Sequence, residues 1–194
     1  MPKGRSHLLK RLPEILEDAD NGLTELFREE LFGLYEELHH LDERITHYEE
    51  KIKQVAQADE RAKRLQTIPG IGPMIATALL AAIADIQAFK NGRELAAWLG
   101  LVPRQHSTGG KPNLLGISKR GDIYLRQLII HGARSIVRRA DRKTDRNSQW
   151  AAAVQQRRHT NIAVVAMANK MVRIAYALLK NGERYRADST PASA

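Results

Sequence analysis

An all-α fold is predicted: a long coiled-coil helix followed by a compact helical domain built around Gly-rich loops. Three observations predict it. A heptad repeat of large apolar residues runs through the first third of the chain. Ala-rich apolar runs of helical length follow, separated by Gly and Pro. No segment shows the strict apolar/polar alternation of a half-buried strand.

The chain has 194 residues and a net charge of +9, and that charge is unevenly placed. Residues 1–62 hold 9 Lys/Arg against 15 Asp/Glu, while residues 63–194 hold 22 against 7. A sign change of this size divides the chain into two parts with different tasks. The basic part suits a polyanion, because each phosphate neutralised releases condensed counterions. A solvated basic surface is the plainer alternative. With no cysteine, disulfides, thiolate metal sites and Cys nucleophiles are excluded. No uninterrupted apolar stretch approaches the ~18 residues of a membrane span. "MPKGRSHLLKRLPEILEDAD" turns acidic where a signal peptide would need apolar residues. The expectation is a cytoplasmic, nucleoid-associated protein with no membrane partner.

The elements follow in order. "DADNG" (Asp18 to Gly22) separates a short first helix, able to fold back, from the rod. In the rod, Phe27, Leu31, Leu34, Leu38, Leu41, Ile45, Tyr48, Ile52 and Val55 are spaced alternately four and three residues apart. That period demands a facing helix, in an oligomer (dimer or tetramer) or in a hairpin within one chain. The predicted division is 1–60 for the first helix and coiled coil, 61–186 for the helical domain and 187–194 for a frayed tail.

In "RLQTIPGIGPMIATALLAAIAD" a helix ends near Thr67, ahead of Pro69, and another begins at Pro73. Gly70 and Gly72 permit a tight turn between them. This stretch resembles helix-hairpin-helix modules, whose turn offers backbone N–H groups to a DNA phosphate. A turn whose small residues serve close packing is the alternative. "GRELAAWLGLVP" is a short helix ended by Gly100, with Leu95, Trp98 and Leu99 expected in the core.

"RQHSTGGKPNLLGISKRGDIYLRQL" (Arg104 to Leu128) then carries four glycines and five Lys/Arg. It is not a P-loop: Gln105 stands at the first glycine position, Pro112 follows Lys111, and no strand is predicted before it. Ser107, Thr108 and Lys111 share a flexible loop, and Ser118, Lys119 and Arg120 form a second turn ahead of a helix capped by Asp122. Arg126, near the start of that helix, can lean toward whatever the loop holds. A hydroxyl among cations can hold a phosphate or attack it. Attack requires a base or a metal to activate the hydroxyl. His106 and His131 are the nearest histidines in sequence. Beyond this helix, Arg134 and Arg138 begin a basic stripe, and "NIAVVAMANKMVRIAYALLKNGERY" closes the core, its Met residues packing and its end at Asn181-Gly182.

Together, "IPGIGPMIATALLAAI", "ELAAWLGLVPRQHSTGGK" and "LLGISKRGDIYLRQLIIHGARS" resemble the C-terminal domain of DEDD-type insertion-sequence transposases, recombinases associated with a bridging guide RNA. The likeness spans roughly residues 65–179, and the rod matches the coiled coil preceding that domain. The resemblance implies a two-part active site. A RuvC-like domain holds acidic residues and Mg²⁺, and the C-terminal domain supplies a serine that attaches covalently to cleaved DNA. That serine maps to Ser107, with Thr108 the alternative. Gly70, Gly72, Lys111, Ser118, Lys119, Arg120 and Arg126 are the expected DNA-binding residues, and DNA and guide RNA the partners. This sequence opens essentially at the coiled coil. It therefore reads as a fragment or truncated copy, inactive alone, with no metal site or cofactor of its own and Mg²⁺ only alongside a RuvC-like partner domain. The rival expectations are a non-catalytic nucleic-acid-binding and oligomerisation module and a structural helical scaffold.

Overall fold

The computed structural model describes residues 4–105 and 114–186. Its two compact units are Met1–Lys51 and Ile52–Ala194.

In the first unit, α1 (Arg5–Glu17) folds back on α2 (Glu25–Ala58) as the Asp18–Gly22 break predicts. Arg5 pairs with Asp42, and Arg28 donates to the Leu16 carbonyl (2.8 Å) and to Asn21 Oδ1 (2.7 Å). The Arg5–Asp42 and Arg28–Leu16 links place the helices antiparallel. The hairpin leaves most of the heptad stripe bare: Phe27, Leu34, Ile45 and Tyr48 are each more than half exposed. One short helix cannot cover a 34-residue one.

The last turns of α2 belong to the second unit, where Ala56 is fully buried and its carbonyl accepts from Gln66 Nε2 (3.5 Å). There follow α3 (Glu60–Gln66), α4 (Pro73–Ala82), a 3-10 turn (Ile86–Ala88) and α5 (Gly92–Trp98). Asp59 caps α3, and hydrogen bonding from Arg61, foremost from its guanidinium, holds the Asp59 carboxyl at about 2. Strands β1 (Pro103–Gln105) and β2 (Leu114–Ile117) pair antiparallel, with a register irregularity between Pro103 and Gln105. Then come α6 (Ile123–Val137), a 3-10 turn (Ala140–Arg142), α7 (Arg146–Gln155) and α8 (Thr160–Asn181).

The fold is thus mainly helical, and the small hairpin is the departure from the all-α expectation. Three- and four-residue strands containing Pro and Gly are too short to show a period of two. Their pairing is a tertiary matter: Ser118 N–H donates to the Val102 carbonyl (2.8 Å) and Lys119 N–H to that of Gly100 (3.2 Å), extending the zipper toward α5.

Helix α8 is the central post, packed by α3, α5, α6 and α7. Its length and composition would let it cross a bilayer, but Val164, Met167, Met171, Val172 and Ala175 are spent on the core. Fully burying each Leu or Met contributes about 1.5–3 kcal/mol, so Leu65, Leu95, Leu99, Leu125, Met167 and Met171 anchor the unit. Trp98 does not join them. It is 39% exposed and meets Phe89 edge-on, with centroids 5.6 Å apart. Gly182 ends α8 in the left-handed conformation at φ 73°. Beyond it, Tyr185 N–H donates to Thr67 Oγ1 (2.9 Å) and Tyr185 Oη accepts from Asn147 Nδ2 (2.5 Å), strapping the segment across α3 and α7.

Candidate nucleic-acid interface

The turn between α3 and α4 gives its two glycines different jobs. Gly70 has φ +84°, and a Cβ there would lie 2.6 Å from the Gly132 carbonyl oxygen of α6. A Cβ on Gly132 would in turn lie 2.2 Å from the Gly70 carbonyl oxygen. This pair is a backbone-to-backbone contact, so Gly70 serves packing. Gly72 faces open space, nothing within 4 Å of its missing Cβ, and is the N-cap of α4. No side chain caps that helix, and Pro73 occupies its first turn. The Met74 and Ile75 amides therefore head α4 at the positive end of its dipole, an arrangement suited to an anion.

The second Gly-rich region is more tightly built. Gly100 (φ +70°) and Gly121 (φ +87°) both adopt backbone conformations that favour glycine. A Cβ on Gly100 would sit 2.1 Å from the Arg120 carbonyl oxygen, and one on Gly121 would sit 1.9 Å from that of Trp98. The end of α5 and the Ser118–Gly121 turn are thus pressed together. Between the two glycine contacts Lys119 is left-handed at φ 56°, a conformation that costs a non-glycine residue about 1 kcal/mol. Lys119 and Arg120 are exposed. Ser118 Oγ is buried with no hydrogen-bond partner among the described residues. Asp122 caps α6 as predicted, accepting from Leu125 N–H (2.9 Å).

Arg126 is used differently from the sequence expectation. Its side chain is buried, 7% exposed, and Nη1 donates to the carbonyls of Leu99 (3.3 Å) and Arg120 (3.2 Å). It ties α5, the turn and α6 into one knuckle, so its role is that of a brace. Replacing it with Met should cost about 2–3 kcal/mol, since two carbonyls lose a charged donor in a site that water does not reach freely. Urea denaturation of Arg126→Met and Arg126→Lys tests this. Arg126→Lys should recover only part of the loss, because one ammonium cannot reproduce the guanidinium fork.

Ser107, Thr108, Lys111 and His106 lie outside the described residues, on the segment joining β1 to β2. The two strands that flank that segment are tied together at their far ends through the Gly100 and Val102 carbonyls. His131, Arg134, Arg138, Arg139 and Arg142 are exposed, the first four along or just past α6. Among the described residues no group of three or more His, Asp or Glu is placed to hold a metal ion. Sequence reasoning passed over Gly100, Gly121 and Gly132 as site-shaping residues. Gly132 did leave a signal: a glycine inside a helix costs about 1 kcal/mol against Ala, and close packing is the usual reason to bear it.

A transposase family described as IS116/IS110/IS902 matches residues 62–149, from α3 into α7. The transposase for insertion sequence element IS1111A of Coxiella burnetii is 47% identical over 186 residues, covering 96% of this chain and 51% of that protein. A probable family 20 transposase of Pseudomonas aeruginosa is 45% identical over 184 residues, covering 95% and 54%. A pilin gene-inverting protein of Moraxella bovis is 27% identical over 141 residues, covering 66% and 40%. The chain spans about half the length of the first two curated relatives. The matched segment contains the α3–α4 turn, the knuckle and α6 in the order described above, so residues 62–149 are similar to the transposase domain of the IS116/IS110/IS902 family.

Proposed function

We propose that this chain is the serine-bearing half of an insertion-sequence transposase, acting in DNA transposition and recombination. In this reading the second unit holds DNA, and a guide RNA, through phosphate contacts. Ser107 is the nucleophile on the β1–β2 loop. The observation that carries the proposal is the knuckle of Gly100, Gly121 and Arg126. It packs the end of α5 against the Ser118–Gly121 turn, beyond the two strands that flank that loop, and Lys119 and Arg120 are exposed there. Such rigidity suits a loop that must present a hydroxyl to a phosphodiester, where a misplacement of an ångström is costly.

In the cleavage step Ser107 Oγ bonds to the scissile phosphorus and loses its proton. One backbone P–O bond breaks, and its oxygen leaves as a free hydroxyl after taking up a proton. Lys111, Lys119 and Arg120 are placed in sequence to offset charge gathering on the phosphoryl oxygens. Gly72 and the head of α4 take a flanking phosphate without reading bases. Mg²⁺ would supply the Lewis acid of phosphoryl transfer if a RuvC-like domain held it beside this one. The bare heptad stripe of α2 joins copies of the chain as a coiled coil, in a dimer or tetramer.

The rival reading is a non-catalytic nucleic-acid-binding and oligomerisation module. Both predict polynucleotide binding, and salt titration tests that shared claim. Log affinity for duplex DNA should fall linearly with log salt, with a slope of about −0.9 per phosphate neutralised. Affinity that is absent, or flat with salt, would reject both readings and leave a helical scaffold.

A further inference from the structure

A second concentration of cations lies on α7 and α8. Arg146 opens α7, and Trp150 stands one turn later on the same face. Lys170 of α8 places Nζ 4.6 Å from the centroid of the Trp150 ring. Arg173 lies three residues on, on the same side of α8. Its backbone is pressed by the start of α5, where a Cβ on Gly92 would lie 2.9 Å from Arg173 Cα.

We propose that Lys170 and Arg173 form a phosphate-binding locus for a polynucleotide backbone, with the Trp150 ring as its floor. This rests on the nucleic-acid reading above for the identity of the ligand, though not for its phosphate chemistry. Burial is the largest influence lowering the Lys170 ammonium from its ordinary value, and the charges of Arg146 and Arg173 add to it. Asp145 is the carboxylate that opposes this, and its oxygens accept three hydrogen bonds from the first turn of α7. Oδ1 accepts from Asn147 N–H (3.1 Å) and Ser148 N–H (3.1 Å), and Oδ2 accepts from Ser148 Oγ (2.6 Å). The indole face offsets part of the cost of a half-buried ammonium. It does nothing for the repulsion between the Lys170 ammonium and the Arg173 guanidinium, which a phosphodiester relieves by accepting from both together.

Asn169, next to Lys170, donates through Nδ2 to the Leu101 carbonyl (3.2 Å), where the chain enters β1. This stretch of α8 therefore borders the base of the hairpin.

The test uses the full chain and two variants. Lys170→Met keeps apolar bulk over Trp150, and Arg173→Gln changes a side chain outside the Trp150 contact. Both should keep or raise the melting temperature in phosphate-free buffer, since like charges are removed. Each should weaken duplex binding several-fold at moderate salt and make the log–log slope shallower by about 0.9. Inorganic pyrophosphate should raise the melting temperature of the unaltered chain and leave that of Lys170→Met in place. An unchanged slope in Arg173→Gln would overturn the proposal, whatever Lys170→Met does to stability, and would make Lys170 a lid on Trp150. If the unaltered chain binds no polynucleotide, the proposed function fails and the pyrophosphate shift decides alone. A rise lost in Lys170→Met keeps the anion site, and no rise removes it.

Discussion

Ser107→Ala should abolish the covalent protein–DNA adduct, a loss of at least ~10³-fold, because the variant has no oxygen to bond to phosphorus. The assay supplies a nicked, suicide-type DNA end, Mg²⁺ and a separate RuvC-like domain, and reads adduct that survives denaturation. DNA binding should change little, since a serine hydroxyl contributes one neutral contact among several charged ones. Thr108→Ala is the matched control and should leave the adduct in place. An adduct that persists in Ser107→Ala and disappears in Thr108→Ala would transfer the nucleophile by one residue. No adduct with any partner domain would favour the non-catalytic module. The knuckle sharpens the expectation. Arg126→Lys should lower the yield of adduct without removing it, because it loosens the knuckle and leaves the hydroxyl untouched.

Gly132→Ala should be strongly destabilising, although it adds a single methyl group to a helix. In an exposed helix interior the same substitution would gain about 1 kcal/mol. Here the new Cβ meets the Gly70 carbonyl oxygen at 2.2 Å and Ile75 Cδ1 at 2.9 Å. The isoleucine can turn away, but the carbonyl is backbone, held in a turn by Ile71 N–H donating to Ile68 O (3.0 Å). α6 must therefore move off the α3–α4 turn. A cost of about 4 kcal/mol is expected. The melting temperature should fall by about 10 °C for a chain of this size. Gly116→Ala in β2, with nothing within 4 Å of the added methyl, should stay within about 0.5 kcal/mol. Equal effects of the two substitutions would show that the Gly70–Gly132 contact is not formed in solution.

What was legible beforehand was whatever local chemistry governs. Pro73 at the head of α4, Asp122 as the cap of α6 and Gly182 as the stop of α8 stand where single-residue rules put them. The Asp18–Gly22 break and the fold-back of α1 were equally readable. The misjudged residues share a different property. Trp98 was expected in the core by type and spacing, but its ring lies at the rim beside Phe89. Arg126 was expected to face a phosphate by charge and position, yet it reaches back 27 residues to the Leu99 carbonyl.

Sequence alone settled the helical character, the heptad stripe, the caps and the placing of hydroxyls among cations on one Gly-rich segment. Those features depend on neighbours within a turn or two, where periodicity and backbone preference act directly. Tertiary structure decided the rest. It turned Gly70 inward and Gly72 outward, joined Gly100 to Arg120, set Lys170 over Trp150, and paired β1 with β2. Each is a contact between segments distant in sequence. Its energy is realised only after the core has brought the helices together, so no local pattern needs to announce it.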